Sequence, residues 1–215
     1  MEKLIDKTIL SEFEKDALKE IINLAFGDAA GTLADVMGMY VFLNVPVVDI
    51  MQPEDVVKYI SKELELDSGF NIIEQYYIGK IKGVAFLVMS YENSESIISI
   101  LNSDIYSLIK DHPIDLLAKE TLMEIANIII GACVSKIAEL LADNVVYMPP
   151  RFVGENYSVD TIPKKVFNKN SYVIMLKTIF KFESKDINGI IFLVNSYESI
   201  KWLKNSINKF ISTYV

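Results

Sequence analysis

The chain has 215 residues, 51% of them hydrophobic, and a formal net charge of -8. That is enough apolar material to bury a core in one large domain or two small ones, and it excludes wholesale disorder. The 21 basic residues form no cluster denser than Lys164 and Lys165, which read as a solvated loop, so binding to a nucleic-acid backbone is not supported.

Further classes fall away on specific residues. No uninterrupted apolar run approaches the roughly 18 residues of a bilayer span, and segments such as Ile128 to Val134 read as short core pieces, so no membrane insertion is expected. The first residues, Met-Glu-Lys-Leu-Ile-Asp-Lys, lack the basic and apolar regions of a secretory signal, which places the protein in the cytoplasm. The single cysteine, Cys133, falls on an apolar helix face and reads as a buried structural thiol. One His and one Cys leave no zinc set, and there is no EF-hand loop, Walker sequence or GxGxxG.

In chain order, Ser11 is a candidate N-cap for a helix entered through Glu12 and Glu14. The apolar periodicity from Ala17 to Val36 predicts a long helix ending near Gly38. Tyr40 to Ile50 reads as a strand, and Pro46 inside it argues for a sheet edge, a bulge or a strand entrance, because proline cannot donate to the ladder. Pro53-Glu54-Asp55 opens a shorter helix to about Leu64, which Asp67-Ser68-Gly69 breaks. Asn71 to Ile78 and Val84 to Met89 form a hairpin across Gly79 to Gly83, and a helix follows to Leu101. Asn102 to Pro113 reads as a connector, with His112 an exposed and inert residue. The second half repeats this order. A long helix from Ile114 is followed by a strand around Val145 to Val153 containing Pro149-Pro150. After a loop-rich stretch come strands Tyr172 to Phe182 and Gly189 to Val194, then a terminal helix.

The repeat is quantitative. Glu20, Asn23, Gly27 and Pro46 return as Glu124, Asn127, Gly131 and Pro150, all shifted by 104 positions. Gly83-Val-Ala-Phe-Leu-Val-Met-Ser-Tyr-Glu92 aligns with Gly189-Ile-Ile-Phe-Leu-Val-Asn-Ser-Tyr-Glu198, identical at seven of ten positions with the offset grown to 106. The fold class expected is therefore α+β. A duplicated α-β-(α)-β-β-α unit, about 1–107 and 108–215, would share one antiparallel sheet with long helices packed on it, in one pseudo-twofold domain.

At about 100° per residue, Asp16, Glu20, Asn23 and Gly27 lie within roughly 60° of one another, opposite an apolar face of Leu18, Ile22, Ala25, Phe26, Ala29 and Leu33. Glu120, Glu124, Asn127 and Gly131 repeat the stripe opposite Leu122, Ile125, Ile129, Cys133 and Ile137. The plain reading of such a stripe is solvated surface. Against it, Asn and Gly are both unfavourable in a helix interior, Gly by about 1 kcal/mol relative to Ala, yet both occur one turn apart in both copies. Small residues on the stripe, Gly27, Ala30 and Ala34, then Gly131 and Ala138, would let another surface approach closely.

The pattern Asp/Ser-x3-Glu-x2-Asn-x22-Pro resembles that of the CheC/CheX/FliY phosphatases of bacterial chemotaxis. It is carried here by Asp16, Glu20, Asn23 and Pro46, and again by Glu120, Glu124, Asn127 and Pro150. Two copies with no residues left for a switch domain look most like CheC; Glu120 departs from the pattern by standing where Asp or Ser is usual. The resemblance implies dephosphorylation of the aspartyl phosphate on a CheY-like response regulator. Asn23 and Asn127 would hold the attacking water, and Glu20 and Glu124 would pair with a cation of the regulator, its active-site Lys. Asp16, Glu120, Pro46 and Pro150 would support the motif. No cofactor of the chain's own is implied, since Mg2+ would come with the regulator. The alternatives are a non-catalytic adaptor for a receiver domain or a CheD-like deamidase, and a structural or flagellar-switch scaffold.

Overall fold

The first helix, α1 (Glu12–Met37), is fixed at both ends by local chemistry. Ser11 Oγ accepts from the Glu14 backbone N–H while Glu14 Oε2 accepts from the Ser11 N–H, a reciprocal capping box that satisfies two of the orphan donors of a helix start. Gly38, at φ 65°, closes the other end in the left-handed region, and its N–H bonds Ala34 O. These features belong to a computed structural model that describes residues 9–44, 46–63, 70–101, 116–153, 173–183, 187–196 and 198–214. The connector expected at Asn102 to Pro113, the break at Asp67 to Gly69 and the loop holding Lys164 and Lys165 lie outside the described residues.

After α1 come β1 (Val41–Leu43), β2 (Val47–Met51), α2 (Pro53–Glu63), β3 (Phe70–Ile78), β4 (Gly83–Ser90) and α3 (Tyr91–Leu101). The second half supplies α4 (Leu116–Leu140), β5 (Val146–Tyr147), β6 (Arg151–Phe152), β7 (Val173–Phe182), β8 (Ile187–Ser196) and α5 (Glu198–Tyr214). Both proline-bearing stretches are split, and Pro46 stands at the entrance of β2, one of the placements its sequence context predicts. Pro46 and Pro150 fall in the gaps between β1 and β2 and between β5 and β6, because neither imino nitrogen can donate to the ladder.

Among the described residues, eight strands join one antiparallel sheet in the order β1-β7-β8-β4-β3-β5, with β2 also on β7 and β6 also on β3. The halves are therefore interleaved: the short strands of each extend the long hairpin of the other. At the centre β4 pairs with β8, and Phe86 stands opposite Phe192, its own repeat-mate 106 positions on. A pseudo-twofold axis passes through that pair.

The sheet is covered on both faces. Ala85, Leu87 and Met89 face a core shared with α1, α4, α3 and α5, whereas Val84, Phe86 and Val88 face a second cluster that includes Val56 of α2. Strands buried on both sides are apolar at every position rather than at alternate ones, which is why β4 reads Gly-Val-Ala-Phe-Leu-Val-Met-Ser. Cross-strand pairs also repeat: Tyr77 lies opposite Gly83, and Phe180 opposite Gly189. A Cβ on Gly83 would strike Val194 O and stand 2.8 Å from Tyr77 Oη, and one on Gly189 would strike the Phe180 ring. Gly189 leaves the space its aromatic partner occupies, whereas Gly83 is required first by the Val194 carbonyl and then by the Tyr77 hydroxyl. By length and composition α4 is apolar enough to cross a membrane, which a search for uninterrupted runs misses; here half of its apolar window is buried in the fold.

Candidate functional site

The two motif helices pack against each other on one face of the sheet. Every residue expected on their apolar faces is buried, Leu18, Ile22, Ala25, Phe26, Ala29 and Leu33 in α1 and Leu122, Ile125, Ile129, Cys133 and Ile137 in α4. Burial of those faces turns the opposite stripes outward. Glu20, Glu124 and Asn127 are exposed, and Asn23 is half-buried rather than fully exposed as the stripe predicts. Asp16 is exposed and bonded by Lys19 Nζ at 3.2 Å, an i,i+3 surface pair; Glu120 is exposed. Pro46 is buried and Pro150 half-buried, both at strand breaks beside the helices. A Cβ on Gly27 or Gly131 would meet nothing within 4 Å, so packing inside the protein requires neither glycine.

The two copies differ in what stands behind the Asn. Gln75, on β3 and 1% exposed, donates from Nε2 to Asn127 Oδ1 at 2.6 Å and to Met148 O at 3.1 Å. The place of Gln75 in the other half follows from the ladders. Gln75 pairs with Ala85, the repeat-mate of Ile191, and Ile191 pairs with Thr178. Thr178 Oγ1 donates to Asn44 O at 2.7 Å, and Asn44 is the repeat-mate of Met148. The carbonyl anchor is thus conserved by the pseudo-symmetry, but the shorter threonine makes no bond to Asn23, whose side chain has no hydrogen-bond partner among the described residues.

Around the second site Tyr147 Oη donates to Gly131 O at 3.2 Å and stands 2.7 Å from Ser135 Oγ. Burial holds the Tyr147 phenol above its ordinary range, against the opposing effect of the Ser135 hydrogen bond. On the far face of β3, the carboxylate of buried Glu74 is bonded by Arg151 Nη2. Sequence reasoning missed Gln75, Tyr147 and Met148. A signal for Gln75 existed: it shares its strand face with Ile73 and Tyr77, and a carboxamide at such a buried position needs partners.

No family model matches the chain. Among solved structures, the fold is similar to FliY of Thermotoga maritima, with a TM-score of 0.67 and 22% identity over 93% of this chain and 98% of that one. It is similar also to the middle domain of FliM from Vibrio alginolyticus, with a TM-score of 0.58 and 9% identity over 88% and 99% of the two chains. Chemotaxis protein CheX of Desulfovibrio desulfuricans matches with a TM-score of 0.52 and 13% identity over 82% and 99%. The α+β architecture expected from the repeat is thus the fold of FliY- and CheX-type proteins.

Proposed function

We propose that this chain is a CheC-type phosphatase that hydrolyses the aspartyl phosphate of a CheY-like receiver domain in chemotaxis signalling. The observation that supports this best is that each long helix buries its apolar face and turns a Glu and an Asn outward one turn apart, beside a glycine that leaves open space. An acyl phosphate is intrinsically labile, so the demand on the phosphatase is positioning rather than nucleophilic chemistry. Asn23 and Asn127 hold water in line with the phosphorus; the water oxygen forms the new P–O bond, the bond to the aspartyl oxygen breaks, and inorganic phosphate leaves. A carboxamide suits this task because it donates and accepts without titrating. Glu20 and Glu124 anchor a cation of the receiver, which contributes its own Mg2+ and Lys. The same reading places the protein in the cytoplasm and leaves a CheD-like deamidase as a second partner.

The test is phosphate release from a purified phosphorylated receiver, compared with its spontaneous decay. Release accelerated by the protein supports the proposal. Binding of the receiver without acceleration would replace it with the adaptor reading, for which sharing a fold with the FliM middle domain is the relevant observation, since a fold does not by itself carry an activity.

A further inference from the structure

We propose that Gln75 is a positioning residue that fixes which end of the Asn127 carboxamide meets a docked receiver, making the two motif copies chemically unlike. The effect on turnover rests on the phosphatase reading above; the effect on Asn127 itself does not. The argument is one of donors and acceptors. Met148 O can only accept, so the group of Gln75 that faces it at 3.1 Å must be the Nε2 amide. The same Nε2 faces Asn127 at 2.6 Å, so that contact requires the acceptor end of Asn127, Oδ1. Turning either amide over would set two oxygens or two NH2 groups against each other. Gln75 Oε1 has no hydrogen-bond partner among the described residues, so its two Nε2 bonds define its orientation. Asn127 is therefore held with Oδ1 inward and its Nδ2 N–H groups toward solvent.

Asn23 lacks this constraint, because Thr178 reaches only Asn44 O. The second site thus presents a preset hydrogen-bond donor, suited to the oxygens of a phosphoryl group or of the water beside it, whereas the first must select its rotamer on docking. A group held before the reaction costs no reorganisation during it, so the second site turns over faster. The residue that sets this difference belongs to the other half of the repeat, an effect of interleaving.

The discriminating substitution copies the pseudo-symmetric residue, Gln75→Thr. In the intact protein, side-chain amide relaxation by NMR should give Asn127 an order parameter above about 0.6 and Asn23 one below it. Gln75→Thr should bring Asn127 down to the level of Asn23. In an Asn23→Ala background, where only the second site remains, it should lower kcat about tenfold and leave KM within about twofold, the split expected of lost orientation. Equal mobility of Asn23 and Asn127 in the parent overturns the proposal without any variant, so a misfolded Gln75→Thr protein does not protect it. Unchanged Asn127 order or unchanged kcat in the variant also overturns it. A parent that releases no phosphate defeats the phosphatase reading alone, because the amide relaxation still decides the role of Gln75.

Discussion

Cys133 shows how far the core controls a single group. It is fully buried among the apolar residues of α4, and burial pushes its thiol from an ordinary value of 9.0 up to about 12. The unfolded chain loses that proton more readily than the folded one. The stabilising contribution is therefore complete below the ordinary value of 9.0 and is lost as the pH rises through about 12. Cys133→Ala should melt less steeply with alkali than the parent while costing about 1–2 kcal/mol at neutral pH through the small cavity left. Denaturant midpoints at pH 8 and pH 10.5 check both. A soluble thiol reagent should label the native parent slowly and the unfolded chain fast; equal rates would contradict the packing.

Among elements, the start of α1 is a point where two helices depend on one carboxylate. Glu14 Oε2 closes the capping box with Ser11 and lies 3.4 Å from Lys204 Nζ on α5. Burial would raise the Glu14 pKa, but the Ser11 hydrogen bonds and Lys204 together outweigh it and hold the carboxyl below its ordinary value. The stability this contributes is present above about pH 4.3, the ordinary Glu pKa, and is lost as the pH falls through the depressed folded value. Glu14→Gln keeps an acceptor for the cap but removes the charge, so it should cost about 0.5–1 kcal/mol at pH 7 and nothing once the parent carboxyl is protonated, as thermal unfolding between pH 7 and pH 3 would show. This cap was legible in the sequence, as were Gly38 and the buried faces of α1 and α4, because helix ends and helical period are written in neighbouring residues. The pairing of β1 and β2 with β7, and of β5 and β6 with β3, was not legible: a strand's own alternation does not name its partner. Gln75 was missed for the same reason, since its significance depends on Asn127 and Met148, which are brought to it by strand exchange.

At the scale of the whole molecule the pseudo-twofold axis makes two sites and at the same time ties them together. Single Asn23→Ala and Asn127→Ala variants should each retain part of the phosphate release, Asn127→Ala losing more, and the double variant should lose nearly all of it while still melting cooperatively, about 1–3 kcal/mol less stable than the parent because Asn127→Ala takes an acceptor from the buried Gln75 amide. A folded double variant with undiminished turnover would refute the assigned roles. The sheet makes a stronger demand on the halves. Residues 1–107 alone would carry β4 without β8, β3 without β5 and β6, and β1 and β2 without β7. Open edges of that kind, flanked by Ala85, Leu87 and Met89 on one face and Val84, Phe86 and Val88 on the other, favour self-association over a stable monomer. The fragments 1–107 and 108–215 should therefore fail to give cooperatively melting monomers when made separately. Made together, they should assemble one to one and recover a single melting transition, because the β4–β8 pairing and both exchanged edges are then restored without a continuous chain. Light scattering and circular dichroism on the separate and mixed fragments decide this: two half-chains that each fold alone as monomers would show that the halves are independent units placed side by side, and that Gln75 need not reach Asn127 for either to be stable.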